Sequence, residues 1–157
     1  MIKLVRIDHR LLHGQVAFAW TPELGVDAIM IVNDAAATND TQRSIIRMAK
    51  PQGVKLAIKT VEDAITTLKS GKTNDLKMFV IVGNVEDAVS LQHGYPEITH
   101  INLGGMKARE GTHNLSKAVN LLPREEEEIK GLINDGVEVE LRQVPGDTPI
   151  PAQKLIK

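Results

Sequence analysis

The sequence predicts an α/β protein: a single doubly wound, mostly parallel sheet with helices on both faces. Three observations predict it. Short runs rich in Val and Ile recur, and Ile29-Met30-Ile31-Val32 and Phe79-Val80-Ile81-Val82 are apolar at every position, as strands buried on both faces are. Segments with helix-start and helix-stop residues stand between these runs. The length of 157 residues suits one domain with one sizeable core.

In chain order, the strands are expected at Ile2–Ile7, Ala28–Val32, Val54–Ile58, Met78–Val82, His100–Leu103, Ala118–Leu122 and Val137–Val144. A helix starts at Gln15–Trp20, directly after the first strand and its loop. Asn39 with Gln42 opens a helix over Asp40–Ala49, with Pro51 beyond its end. Thr60 with Asp63 resembles a capping box for Val61–Lys69, and Gly71 stops that helix. Asn84 opens Val85–Gln92, closed by Gly94 and Pro96. Pro123 suits a first helical position, and Glu125–Glu128 lie favourably against the helix dipole as a solvated start. That helix ends at Asn134-Asp135-Gly136. Trp20, Phe18 and Leu24 read as core anchors. The segment Pro145–Pro151 is too rich in Pro for regular structure, so residues 1–157 are read as one domain with 145–157 as an extended C-terminal arm.

Composition removes several function classes. Lys+Arg total 19 and Asp+Glu total 20, a net charge of -1. There is no polybasic footprint for nucleic acid and no acidic tail. Aromatics are only 3% (Phe18, Phe79, Trp20 and Tyr95), too few for a surface that stacks bases. Without cysteine there is no disulfide scaffold, zinc ribbon, thiol nucleophile or redox pair. No apolar run approaches the ~20 residues of a membrane span, and Met1-Ile2-Lys3-Leu4 opens no signal-peptide pattern. A soluble, intracellular domain is expected.

Open parallel sheets bind ligands beyond the carboxyl ends of their strands. That rule selects Asp8-His9-Arg10-Leu11-Leu12-His13-Gly14-Gln15, Asn33-Asp34, Gly83-Asn84 and Gly104-Gly105-Met106-Lys107. The first loop holds a carboxylate, a guanidinium and two imidazoles within six residues. An anion there would meet free N–H groups and the positive end of a helix dipole, with Arg10 as a bidentate fork. A neutral His13 imidazole is a competent nucleophile towards phosphorus. The residues alone also allow His9 and His13 to be surface histidines with local hydrogen bonds. On a helix, residues four apart would face one metal ion, but this segment follows directly on a strand. No metal site and no cofactor are expected. Gly104-Gly105 suits a tight turn better than a phosphate cradle, because neither dinucleotide nor P-loop spacing is present. Lys107 and Arg109 add positive charge at that edge, and His113 is a candidate second site residue. His93 and His100 read as structural.

The stretch Arg6-Ile7-Asp8-His9-Arg10-Leu11-Leu12-His13-Gly14-Gln15-Val16 resembles the active-site signature of the IIB subunits of the mannose/fructose/sorbose family of the bacterial phosphotransferase system. The resemblance continues through Val32-Asn33-Asp34, Asn102-Leu103-Gly104-Gly105-Met106 and the Gly136-Val137 strand. It implies a phosphocarrier, a protein-N(pi)-phosphohistidine–sugar phosphotransferase component. Such a subunit accepts a phosphoryl group from a IIA histidine and passes it to a sugar held by membrane subunits IIC and IID. Carried over by position, His13 is the phosphorylated residue, Arg10 steadies the phosphoryl group and Asp8 is the loop aspartate. Gly14, Gln15, Arg6 and Asp34 fall to phosphate binding or support. His9 stands where many members have Asp. The resemblance also implies a cytoplasmic subunit held peripherally at its membrane partners, with a homodimer as one further assembly. A regulator that only binds phosphate and a nucleotide-binding enzyme built on Gly104-Gly105 are the competing readings. The transported sugar is not encoded here.

Overall fold

The structure, a computed structural model, describes residues 1–156. Six parallel strands and one antiparallel edge strand form the main sheet: β1 (Ile2–Asp8), β2 (Ala28–Val32), β3 (Lys55–Lys59), β4 (Met78–Val82), β5 (His100–Gly105), β8 (Glu138–Leu141) and β9 (Ile150–Pro151). Their order is β3-β2-β4-β1-β5-β8-β9. A separate antiparallel pair, β6 (His113–Ser116) and β7 (Val119–Leu121), touches the main sheet through a Met106–Val119 bridge.

The strands alternate their apolar residues between two packed faces, as the two-residue side-chain period requires. On one face Leu4, Ile29, Ile31, Phe79 and Ile81 pack with α1 (Gly14–Leu24) and with α2 (Asp34–Thr38) and α3 (Asp40–Met48). On the other, Val5, Met30, Val80 and Ile101 pack with α4 (Val61–Lys69), α5 (Val85–Gly94) and α6 (Pro123–Asn134). The doubly wound expectation therefore holds. The chain leaves β1 for β2 in one direction and β4 for β5 in the other, which opens a crevice at the carboxyl ends of the central strands.

Side chains cap most helices as the spacing predicts. Asn39, Thr60 and Asn84 accept from Gln42, Asp63 and Asp87 backbone N–H groups. Four features differ from expectation. Asn33 caps an unexpected short helix, α2, through the Ala36 N–H. The Ala118–Leu122 run shortens to β7 and pairs with β6, since the polar His113-Asn114 segment can cover only an exposed edge. The Pro-rich arm contains a two-residue strand against Leu141 and Glu140, then a 3-10 turn at Ala152–Lys154 that buries Ala152 and Ile156. Proline is tolerated there because β9 is an edge; Lys157 of the expected arm lies outside the described residues. Glu125 is buried and not solvated: it accepts from the Leu122 N–H at 2.8 Å and from Arg109 at 2.7 Å.

Gly104 and Gly105 sit inside β5, not in a turn. A Cβ on Gly104 would lie 2.0 Å from Arg6 Cζ, and one on Gly105 would lie 3.1 Å from an Asp8 oxygen. The glycines make room for polar side chains of β1, which leaves no cradle for a nucleotide. At the opposite end of the sheet, His100 bridges two carboxylates, with Nε2 2.5 Å from Glu140 and Nδ1 3.2 Å from Glu138. The hydrogen bond to Glu140, first, raises its pKa above the ordinary 6.5; burial opposes this.

Gly104→Ala should therefore cost about 3 kcal/mol, the upper range for forcing extra volume into a packed interior. Urea unfolding that showed the variant unchanged would mean Arg6 has room to move. His100 is charged in the fold at pH values where the unfolded chain has begun to lose the proton. Its stabilisation is complete below pH 6.5 and fades as pH rises through its higher native pKa. The stability difference between the protein and His100→Asn should thus shrink from mildly acidic to alkaline pH, as followed by thermal unfolding across that range.

Candidate active site

The β1 strand delivers Asp8 to the crevice, and the chain then turns sharply, with the Leu11 N–H donating to the Asp8 carbonyl at 2.9 Å. Leu11 has φ 57, a left-handed conformation costly for a branched side chain. Burial of the Leu11 and Leu12 side chains holds the turn closed. The loop ends at His13, the N-cap of α1. Unlike the Asn and Thr caps, His13 makes no side-chain cap bond. The first N–H groups of α1 therefore have no side-chain partner at the cap, and they point where an anion would sit. Gly14 and Gln15 are exposed at that helix start.

Below the loop lies a buried charge network. Asp8 is fully buried and takes two guanidiniums. Arg10 grips it bidentately, Nε to Oδ1 at 3.1 Å and Nη2 to Oδ2 at 3.2 Å, and its backbone N–H donates to Oδ1 at 3.0 Å. Arg6 donates to Oδ2 at 3.3 Å from within the sheet. Its Nη1 also donates to Asn102 Oδ1 at 2.7 Å and to the Arg142 carbonyl at 3.0 Å, and its Nη2 to the Gln143 carbonyl at 3.1 Å, while Nε is buried without a partner. Both Arg6 and Arg142 lie over the Trp20 ring, 5.1 and 5.3 Å from its centroid, and the Trp20 Nε1–H donates to Gln143 O at 3.2 Å. The network leaves Arg10 half exposed, with Nη1 turned towards Gln15 Oε1 at 3.4 Å.

His13 stands at the rim, 24% exposed. Its Nε2 is buried without a hydrogen-bond partner, 3.9 Å from Asp8 Oδ2. A carboxylate on that side favours the tautomer with the proton on Nε2, which leaves the Nδ1 lone pair free. Burial, then Arg10, lowers the His13 pKa below the ordinary 6.5, and Asp8 opposes them. The imidazole is neutral at pH 7, and beside it stand one carboxylate and two guanidiniums, a local excess of positive charge.

The structure thus gathers Arg10, His13, Gly14 and Gln15 on one rim, with Asp8 and Arg6 buried directly beneath. Asp34 makes a contact of its own: its Oδ1 accepts from the Val61 N–H at 2.9 Å at the start of α4. His9 lines a cleft of about 180 Å³ with Gly83, Asn84, Lys107 and Arg109. Arg109 is neutralised there by Glu125. His113 is exposed on β6, 3.4 Å from Glu126, and His93 lies in the last turn of α5. Among the described residues no three His, Asp or Glu side chains converge to hold a metal ion. Asn102 and the Gln143 carbonyl are members of the buried network to which the sequence alone gives no role. A lone Asn inside an otherwise apolar strand was the signal for the first, and nothing local marks the second.

Residues 2–157 match the family described as the PTS system sorbose subfamily IIB component. The chain is 32% identical over 149 residues to the sorbose-specific EIIB component of Klebsiella pneumoniae, covering 95% of this chain and 91% of that protein. It is 33% identical over 156 residues to the mannose-specific EIIAB component of Escherichia coli, covering 99% of this chain and 48% of that longer protein. The crystal structure of the IIBSor domain of the sorbose permease of Klebsiella pneumoniae superimposes with a TM-score of 0.94 at 31% identity, over 99% of this chain and 96% of that one. With its fold and its whole length matched in this way, the chain belongs to the sorbose subfamily of phosphotransferase-system IIB components, the phosphotransferases of sugar transport.

Proposed function

We propose that this chain is a phosphocarrier in which His13 Nδ1 takes a phosphoryl group from a histidine of a IIA protein and gives it to a sugar held by membrane subunits IIC and IID. The observation that carries the reading is a neutral imidazole set at an uncapped helix start beside an arginine held by a buried carboxylate. The Nδ1 lone pair attacks phosphorus, the P–N bond to the donor imidazole breaks, and its electron pair returns to the donor nitrogen. The imidazole of His13 then carries the phosphoryl group on Nδ1 and keeps its proton on Nε2, facing Asp8. The new positive charge on the ring is stabilised by that carboxylate, and the phosphoryl oxygens by Arg10 and the Gly14 and Gln15 N–H groups.

Little covalent chemistry is asked of the protein. Phosphoryl transfer needs alignment and neutralisation of charge, and a preset arginine and fixed amides supply both. In the second transfer a sugar hydroxyl replaces the histidine as acceptor. The sugar oxygen bonds to phosphorus and gives its proton to water, the P–Nδ1 bond breaks, and the ring recovers its lone pair. Among the described residues no helix is long and apolar enough to cross a membrane. The reading therefore has this chain meeting its membrane subunits from the cytoplasmic side. The name of the Escherichia coli relative, EIIAB, supports a IIA protein as the donor.

Labelling by phosphorylated IIA tests the acceptor. His13→Ala should take no label while remaining folded. His9→Asp, the commoner family residue, should keep acceptance within about threefold, a change of only ~0.7 kcal/mol. A label on His9, or normal labelling of His13→Ala, would assign the wrong imidazole. The pH dependence follows from the environment of His13. A lowered pKa keeps the nucleophile neutral as pH falls through 6.5, so acceptance should begin to fail only in more acidic solution. In an NMR titration the His13 midpoint should lie below 6.5 and move upward in Arg10→Gln, because the arginine charge helps to depress it. A midpoint at or above 6.5 would contradict this.

A further inference from the structure

The solvent side of α1 is built unlike that of the other long helices. From Gly14 to Pro22 it carries no Asp, Glu, Lys or Arg, and Glu23 is its one charged residue. Helix α3, by contrast, carries Asp40, Arg43 and Arg47, and α6 carries Arg124, Glu125–Glu128 and Lys130. Surface helices are normally charged on their outward face. Here Gly14, Phe18 and Pro22, four residues apart, form one exposed stripe, flanked by Gln15 and Ala19. Phe18 had been expected in the core. It is 78% exposed, while Val16, Ala17 and Trp20 take the inward positions of the same helix. The ring lies alongside the helix start, 3.9 Å from where a Gly14 Cβ would stand.

We propose that this stripe is the surface on which the phosphodonor protein docks, with Phe18 as its anchor. The inference rests on His13 being the acceptor. A histidine on one protein can reach phosphorus held in line with His13 only if the two surfaces touch. His13 is recessed at the mouth of α1, so a partner that reaches it must lie on the first turns of that helix. Phe18 projects from those turns and would block the approach if it were not itself covered. An aromatic ring buried at the centre of a contact is the usual source of binding energy in a small interface.

Charge selects the donor over the membrane acceptor as the occupant. A phosphohistidine is dianionic, and the half-exposed Arg10 and the uncapped helix start attract it. Transfer moves the anion onto this chain and cancels that attraction, so the donor leaves. A sugar hydroxyl offers no such charge. Gly14 keeps the rim low enough for the donor backbone to pass.

The test compares a protein donor with a small one. In Phe18→Ser, the concentration of this chain that half-saturates transfer from phosphorylated IIA should rise about tenfold, with the saturating rate kept within about twofold. Labelling of His13 by phosphoramidate, which needs no docking surface, should stay within about twofold of the unsubstituted protein. Phe18→Leu should restore most of the protein-donor affinity. Met48→Ser, which removes another exposed apolar side chain, at the end of α3 and outside the stripe, should leave transfer unchanged. Half-saturation of Phe18→Ser within about twofold of the unsubstituted protein would overturn the proposal. So would a loss confined to sugar phosphorylation by the membrane subunits, which would assign the stripe to them. Failure of His13 to take label from either donor is a separate result: it would remove the acceptor reading itself.

Discussion

A single buried carboxylate organises this end of the molecule. Asp8 has no exposed surface, and an isolated charge at such a position is costly enough to require partners. Arg6 meets it from inside the sheet and Arg10 from the loop. The Arg6 contact is the fully buried one, and removing one partner of a buried pair typically costs about 3–5 kcal/mol. Around this centre the rest follows. Arg6 fits only because residue 104 has no side chain. Its outer donors reach Asn102 and the carbonyls that follow β8, so β1, β5 and the chain after β8 are bound through one guanidinium.

The same carboxylate shapes the chemistry above it. Held bidentately, the Arg10 fork is preset, and in the proposed transfer little ordering entropy would remain to be lost. His13 turns Nε2 towards Asp8, which leaves the other nitrogen free for the proposed transfer. Helix α1 forgoes the side-chain cap that its neighbours have, a loss of about 1 kcal/mol, and Leu11 accepts a strained backbone. Both departures from local preference fall in one short loop, where an anion can repay the missing cap.

The outside of α1 is also unusual. Its inward residues are Val16, Ala17, Trp20 and Thr21, and its outward face is uncharged from Gly14 to Pro22. A helix that only needed solubility would carry charge there. The opposite end of the sheet, where His100 joins β5 to β8 between two glutamates, serves stability instead and lies away from the reacting group.

The sequence by itself determined the doubly wound sheet. Strands buried on both faces are apolar at every position, and Asn39, Thr60 and Asn84 announce helices through bonds spanning three residues. It also made the reactive loop legible, because Asp8, Arg10, His13, Gly14 and Gln15 are contiguous and a strand–helix junction must hold them together. Tertiary structure alone decided the rest. Asn102 meets Arg6 across 96 residues of chain, and the Gln143 carbonyl across 137. Arg6 reads in the sequence as a group for phosphate, but its Nη groups bond inside the sheet. Gly104-Gly105 reads as a turn, but Arg6 and Asp8 occupy the space above it. Phe18 looked like core because Phe usually is. Local patterns record which way a residue faces within its own element; they do not record which distant side chain needs the room, or which surface must stay open to another protein.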